Sequence, residues 1–356
     1  MTKLEPEELS QFAAALSQDF KRSQLPSLSQ VLTSQFTKAH GSQISMIPML
    51  TRPHAFNTEG HHLCIELGGS TLRISLISNS LQTKQKHWVL KDSQKSINAQ
   101  FFDNIVHKCE AIGITRSVSI VWSFPTDDTN RVITMGKGWT IDPELQQVPL
   151  DEVFTQAFGL NGHDVIIKRV INDGVAVSLS GLIHESKIAL ILGTGVNLCL
   201  ILNEMLYNVE LGFFGSLKAP TKYDLLLDSR FDNDIEPYME SQHPIYQPFE
   251  KLTSGRYLGE LLRLILLDIG IRHEPYELTG ELFCEYLKNP SIRPFCLIIL
   301  QRAAYYVRAA LESAVVLTDS NVICYTGSFL YHCHEYRELI GFQMIHIENP
   351  LIGATI

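Results

Sequence analysis

The stretch Leu63-Cys64-Ile65-Glu66-Leu67-Gly68-Gly69-Ser70-Thr71-Leu72-Arg73-Ile74-Ser75-Leu76-Ile77 holds two short apolar runs joined by a glycine-rich turn. Aliphatic runs on both sides of Gly-Gly-Ser read as the two strands of a hairpin. A second block of the same design follows later in the chain: Ile188 to Leu192, then Gly193-Thr194-Gly195, then Val196 to Leu202. Two such hairpins far apart suggest a duplicated core, although at the turn only the leucine and the first glycine match outright. A glycine turn between strands presents successive backbone N–H groups without side-chain interference, a concavity suited to anionic oxygens. Taken singly, each is more often a plain tight turn, and neither fits the Walker or dinucleotide fingerprint.

Between the hairpins, Ser117 to Trp122 and Val165 to Val170 read as buried strands. Each delivers the chain to a polar cluster, Ser123-Phe124-Pro125 and Asn172-Asp173-Gly174. Open α/β sheets place their chemistry at such strand ends. On base rates Asn-Asp-Gly is a turn or a helix cap; the functional reading of Asp173 is a carboxylate that accepts a hydroxyl proton during phosphoryl transfer. Upstream, Leu9, Phe12, Leu16 and Phe20 recur at helical spacing, Pro26 breaks the run and Leu28 to Phe36 resumes it. Pro48 and Pro53 then favour an extended linker from Ile44 to Pro53. Downstream, Val175 to Leu182, Arg256 to Ile271 and Pro294 to Leu317 read as helices, and Val322 to Tyr325 as a strand ending in Thr326-Gly327-Ser328.

At 356 residues and roughly 150 residues per domain, the chain has room for about two domains. Hydrophobic residues make up 45% of it and charged ones 19%, so a large core is available and disorder is excluded as the main theme. A formal charge of -9 repels a phosphate backbone over most of the surface, which argues against nucleic acid and anionic membranes as partners. Seven scattered cysteines without a CxxC indicate neither a disulfide framework nor a zinc site. The acidic start, Leu4-Glu5-Pro6-Glu7-Glu8, has the wrong chemistry for a targeting peptide. The longest apolar stretch, Ile188 to Leu202, is broken by Gly193, Thr194, Gly195 and Asn197 and falls short of the ~18 residues of a membrane span. The expectation is a soluble cytoplasmic protein, also nuclear if regulatory, acting on small molecules as a monomer or homodimer.

Taken in order, the segments resemble the hexokinase family of fungi and animals over nearly the whole chain. Ile44-Ser45-Met46-Ile47-Pro48 resembles the family's S-M-L-P, and Glu66-Leu67-Gly68-Gly69-Ser70-Thr71-Leu72-Arg73 its first phosphate motif, D-L-G-G-T-N-L-R. Ser123-Phe124-Pro125 and Lys137-Gly138-Trp139 are similar to the sugar-binding S-F-P and T-K-G-F. Ile171-Asn172-Asp173 matches I-N-D, and Leu192-Gly193-Thr194-Gly195-Val196-Asn197 is similar to L-G-T-G-T-N. Asn208-Val209-Glu210-Leu211-Gly212 looks like N-T-E-W-G, Gln247 to Glu260 resembles Q-x-F-E-K-M-I-S-G-M-Y-L-G-E, and Thr326-Gly327-Ser328 stands where the family has D-G-S.

That resemblance implies an α/β, actin-like (ribonuclease H-like) two-domain sugar kinase fold with an interdomain cleft. The expected layout is a helical segment over 1–55 packing on the large domain, a small domain over 56–194 and a large domain over 195–356. The implied cofactors are ATP and Mg2+, and the implied reaction is phosphorylation of a hexose at its 6-hydroxyl. By the likeness, Asp173 is the general base and Lys137 offsets developing charge. Ser123, Phe124, Lys137, Asn172, Asp173, Asn208, Glu210 and Glu250 hold the sugar. Gly68, Gly69, Ser70, Thr71, Arg73, Gly193, Thr194, Gly195, Gly327 and Ser328 hold the nucleotide, and Glu66 and Asp173 reach the metal through water. Among the departures from the family pattern, Glu66 and Thr326 stand for aspartates, Thr71 for an asparagine, and Gly136 and Gly174 for threonines. The alternatives are an N-acetylglucosamine kinase, to which Gly-Gly-Ser-Thr-Leu-Arg and Met-Gly-Lys-Gly are similar, and a catalytically impaired sugar sensor.

Overall fold

Residues 5–356 are described in the computed structural model, apart from 43, 52–59, 70, 80, 125, 128, 134, 136–138 and 229–246. The chain divides into two compact units, Met1–Arg52 with Glu185–His346, and Pro53–His184 with Ile347–Ile356. Unit 1 opens with helices Pro6–Ser23 and Leu28–Lys38 and strand β1 (Ile47–Thr51). The chain then builds unit 2 from β2 (His61–Leu67), β3 (Thr71–Ser78), β4 (Leu81–Val89), β5 (Ser96–Ile97), β6 (Ser117–Trp122), β7 (Thr140–Ile141) and β8 (Ile166–Ile171). It returns to unit 1 with β9 (Ile188–Leu192), β10 (Val196–Leu202), β11 (Met205–Asn208), β12 (Ile323–Thr326) and β13 (Met344–His346).

The duplication expected from the two hairpins is present as topology. In unit 2 the order is β4-β3-β2-β6-β8: an antiparallel meander, then two strands parallel to β2. In unit 1 the order β11-β10-β9-β12-β13 repeats that plan, with β1 added on the outer edge. Within the segment expected as a linker, Ile47–Thr51 is extended but paired: Pro48 sits on an edge strand, where its missing N–H costs least. β8 departs from the buried strand expected there. It lies at a sheet edge, and Ile166 is 43% exposed.

The second unit boundary lies at 184/185, where the sequence had suggested 194/195. The physical reason is that β9 pairs with β10 and β12, so it cannot be divided from the sheet that follows it. Residues 347–356 return to unit 2, which the sequence division had not assigned there.

Each unit has its own apolar core. In unit 1 the helix Arg293–Thr318 supplies the spine, started by Pro294 in its first turn and ended by Asp319 in the left-handed conformation. Its face of Leu300, Ala303, Ala304, Val307, Ala310, Leu311 and Ala314 joins Leu16, Phe20, Leu32 and Phe36 of the first two helices. Unit 2 buries Phe102, Ile105 and Val106 with Phe154 and Phe158 against the inner face of its sheet.

The helix Asp173–Gly181 follows β8 and is made of small residues for a reason visible in its packing. The terminal 3-10 segment Pro350–Thr355 lies against it, and a Cβ on Gly353 would stand 2.0 Å from the Ala176 carbonyl oxygen. Ser180 Oγ donates to the Pro350 carbonyl at 3.0 Å and accepts from Gly353 N at 2.8 Å, fixing the helix along its axis. All seven cysteines are free thiols. Among the described residues no helix is long and apolar enough to cross a membrane.

Candidate active site

In unit 2 the polar residues gather at the ends of β2, β6 and β8. Antiparallel register sets Glu66 opposite Arg73, the arrangement in which opposite charges support a strand pair. Arg73 Nη1 lies 3.0 Å from Glu66 Oε2, yet among the described residues that buried oxygen accepts no aligned hydrogen bond. Burial pushes the Glu66 carboxyl up, the Arg73 charge opposes that shift, and the Asp173 charge adds to it. Glu66 and Asp173 are thus close enough to sense each other. The first glycine turn closes with Gly68 N donating to the Thr71 carbonyl at 2.8 Å.

Asp173 is the first residue of its helix, and its half-buried carboxylate stands where the helix dipole favours negative charge. Asn172 is the N-cap: its Oδ1 accepts from Gly174 N at 2.8 Å. Asp173 Oδ1 meets the same N–H at 2.8 Å. Ser123 follows β6, half-buried, with its N–H donating to the Leu67 carbonyl at 3.1 Å. Phe124 does not match its expected role on the sugar. Only 4% exposed, its ring packs edge-on against Trp122 at 5.9 Å and Trp139 at 5.7 Å. It anchors the Ser123 segment from within the core. Trp139 is a residue the sequence reading left without a role: its Nε1 donates to the Gly69 carbonyl at 2.9 Å, fastening the first glycine turn. Ser70, Lys137 and Gly136 lie outside the described residues.

In unit 1 a chain of amides carries the acidic groups. Asn197 Nδ2 donates to Asn208 Oδ1 at 2.9 Å, and Asn208 Nδ2 donates to Glu210 Oε1 at 2.8 Å. Asn197 Oδ1 accepts from Leu198 N and Leu211 N. Glu210 holds a left-handed backbone, φ 54°, a conformation costing a non-glycine residue roughly 1–3 kcal/mol that concentrates at functional sites. Glu250, on the helix Pro248–Thr253, reaches the second glycine turn, where its Oε2 accepts from Val196 N at 3.4 Å. A Cβ on Gly195 would lie 2.8 Å from that same oxygen.

Gly193, Gly327 and Ser328 come together at the same turn. Gly193 N donates to the Gly195 carbonyl, and the Gly193 carbonyl accepts from Gly255 N, both at 2.9 Å. Gly327 has φ 116°, and a Cβ there would stand 2.3 Å from the Leu192 carbonyl oxygen. Thr194 and Ser328 are exposed at the rim. Ser254 Oγ is buried beside this turn and has no hydrogen-bond partner among the described residues. Asn197, Ser254 and Gly255 all lie within family-like motifs, and their contacts depend on pairings that sequence spacing does not reveal.

A duplicated sheet plan with a glycine turn in each copy gives the class of fold, the actin-like two-domain fold. Comparison with known proteins gives the family. A family model described as hexokinase matches residues 3–183, and a second, also described as hexokinase, matches 187–290. The chain belongs to the hexokinase family and is an ATP-dependent sugar kinase. It is 28% identical to N-acetylglucosamine kinase 1 of Candida albicans over 84% of this chain and 80% of that protein. It is 27% identical to a hexokinase of Kluyveromyces lactis over 64% of this chain and 54% of that one. Among solved structures, hexokinase from Schistosoma mansoni complexed with glucose matches with TM-score 0.71 at 17% identity, covering 98% of this chain and 99% of that one. A ROK family glucokinase from Streptomyces griseus, in complex with glucose and AMPPNP, matches with TM-score 0.56 at 16% identity, covering 83% and 97%.

Proposed function

We propose that the chain transfers the γ-phosphoryl group of ATP to the 6-hydroxyl of a hexose, glucose or a related sugar, with Asp173 accepting the hydroxyl proton. The observation that carries the reading is Asp173 itself: a half-buried carboxylate on the first residue of a helix clamped by Ser180 and Gly353, in electrostatic range of Glu66. Phosphoryl transfer asks little covalent chemistry of a protein, so positioning and charge supply most of the rate.

In this reading Ser123, Asn172, Asn208, Glu210 and Glu250 accept or donate to sugar hydroxyls, and Lys137 offsets developing charge. The turn at Gly68, Gly69, Ser70 and Thr71, with Arg73, and the turn at Gly193, Thr194 and Gly195 receive phosphate oxygens, while the N–H groups of Gly68 and Gly193 close the turns themselves. Gly327 and Ser328 border the nucleotide.

Mg2+ is bound in kinases through one or two carboxylates together with substrate phosphates. Glu66 and Asp173 fit that donor set, since among the described residues no aligned donor reaches the buried Glu66 Oε2. They would hold the ion through water. When bound, it neutralises phosphate charge.

A second reading, N-acetylglucosamine as the sugar, is favoured by the extent of the Candida albicans match, 84% of this chain against 64% for the Kluyveromyces lactis hexokinase. The smaller Gly136 and Gly174 agree with a bulkier substrate. An ADP-release assay with ATP, magnesium and glucose, fructose, mannose or N-acetylglucosamine decides between them. Turnover with one sugar, abolished by Asp173→Ala, is the expected result. No turnover from protein whose Tm still rises with sugar would overturn the catalytic reading and leave a sugar sensor.

A further inference from the structure

Residues 350–355 pack on the helix Asp173–Gly181 and on β2, β3 and β6, all within unit 2. On β2, Cys64 stands two residues before Glu66, so the two share one face of the sheet. The strand register sets Cys64 beside Ser75 of β3 and Ser119 of β6. All three are small and buried, so their row lets a backbone segment come close to the sheet. Pro350–Thr355 takes that place. Asn349 Oδ1 caps the segment by accepting from Leu351 N at 3.1 Å, and the Leu351 carbonyl accepts from Cys64 Sγ at 3.7 Å. The Pro350 carbonyl accepts from Ser180 Oγ at 3.0 Å, and Gly353 N donates to that same hydroxyl at 2.8 Å. A Cβ on Gly353 would stand 2.0 Å from the Ala176 carbonyl oxygen and 2.7 Å from Ser180 N. One short segment is therefore tied both to the strand that carries Glu66 and to the helix that starts at Asp173.

We propose that Ser180 is a positioning residue for phosphoryl transfer: by fastening its helix to residues 350–353, and through Cys64 to β2, it sets how the Asp173 carboxylate stands relative to Glu66. The inference deepens the function proposed above and rests on Asp173 as the base. Ser180 is 3% exposed and acts through its helix alone.

At its start this helix hangs from β8, an edge strand paired with β6. The bonds at the first turn, from Gly174 N to Asn172 Oδ1 and from Ala176 N to the Asn172 carbonyl, shape the helix but move with it. Ser180 supplies a second anchor roughly two turns, about 10 Å, along the axis. A helix fastened at one end can tilt and roll, and each motion re-aims the carboxylate on its first residue. Fastening at two points stops both. In a reaction that depends on placement, a misplacement of about 1 Å can cost roughly a hundredfold in rate.

The test compares Ser180→Ala with Ser313→Ala in the full chain. Ser313 is a buried serine of unit 1 whose Oγ donates toward the Ser29 and Ala309 carbonyls at 2.7 and 2.8 Å, so its loss lowers stability away from the Asp173 helix. Two quantities are read: kcat and KM from ADP release, and amide hydrogen exchange along the chain. In Ser180→Ala, kcat should fall roughly tenfold while KM for ATP and for the sugar stays within about twofold. Exchange should quicken over residues 174–177 as well as over 350–355. Ser313→Ala should show a lower Tm and neither of these changes. An unchanged kcat in Ser180→Ala overturns the proposal, and so does an equal fall in Ser313→Ala. Quickened exchange confined to 350–355 overturns it as well, because the loss then fails to reach the start of the helix. A wild-type chain without turnover on any sugar contradicts the kinase reading instead, and the exchange pattern then decides by itself whether Ser180 holds the helix start.

Discussion

The two glycine turns stand on the same strand plan but are held in different ways. The first, between Leu67 and Leu72, is flanked by charge: Glu66 and Arg73 face each other across the strands, and Asp173 lies within electrostatic range. Its carbonyl at Gly69 is fastened by a side chain, Trp139. The second, between Leu192 and Val196, is walled by backbone and by one carboxylate. Gly255 donates to it, Gly327 presses on the Leu192 carbonyl, and Glu250 fills the space a side chain at Gly195 would need. A duplicated framework has thus diverged into one turn supplied with charged groups and another shaped by close packing. Substitutions in the first should cost activity, and those in the second should cost stability.

The largest expected effect is on the charged side. Asp173→Asn keeps the volume and the cap geometry but removes the base, and kcat should fall by roughly 10²–10⁴ with Tm within a few degrees of wild type. A variant retaining more than a tenth of the wild-type kcat in the ADP-release assay would show that another group takes the proton.

Next comes the packed side. Gly327→Ala puts a Cβ 2.3 Å from a backbone oxygen at φ 116°, so strain and overpacking together should cost about 2–4 kcal/mol. Gly68→Ala is the matched control in the first turn. Among the described residues its Cβ would meet nothing nearer than Thr71 Oγ1 at 3.2 Å, and the loss should stay below about 1 kcal/mol. Denaturant unfolding of both variants reads the contrast; equal losses would erase the distinction between the turns.

How far the sequence disclosed this arrangement depends on whether spacing along the chain could carry it. The hairpins, Asp173 after its strand and the helix over 293–318 are local patterns, and spacing revealed them. The edge position of β8, the pairing of β1 with β11 and the return of residues 347–356 to unit 2 are choices among partners distant in sequence. Phe124 shows the limit within the site. Its motif pointed to the sugar, but an aromatic beside Trp122 and Trp139 gains more from the core. Trp139 shares a motif with Lys137, yet nothing in a sequence says that an indole N–H will find a carbonyl at Gly69.

A smaller effect, with a distinctive pH dependence, is expected at Glu66. Burial, the first cause, raises its carboxyl, so between the usual glutamate range and the raised value the folded state binds the extra proton. Stability therefore falls as pH rises through that window. Glu66→Gln has no such proton to lose. Without nucleotide or added magnesium, its Tm relative to wild type should increase with rising pH and level off once Glu66 is fully ionised. A difference that stays flat across the carboxylate range would mean that Arg73 compensates the burial in full.

The smallest effect tests the fastening of the first turn. Trp139→Phe retains an aromatic ring against Phe101 and Phe124 but loses the N–H that the Gly69 carbonyl accepts. A neutral hydrogen bond is worth about 1 kcal/mol net, and the smaller ring adds a modest packing loss. If the indole only fills the core, KM for ATP should not move, and Tm alone should drop. If the bond holds the turn in its phosphate-receiving shape, KM for ATP should rise several-fold while KM for the sugar changes less, because the freed turn loses its backbone N–H alignment before Ser123 or Asp173 is disturbed. The second pattern is the one expected from the geometry. It would make the first turn, for all its charge, dependent on a single side chain for the shape that the second turn receives from its packed glycines.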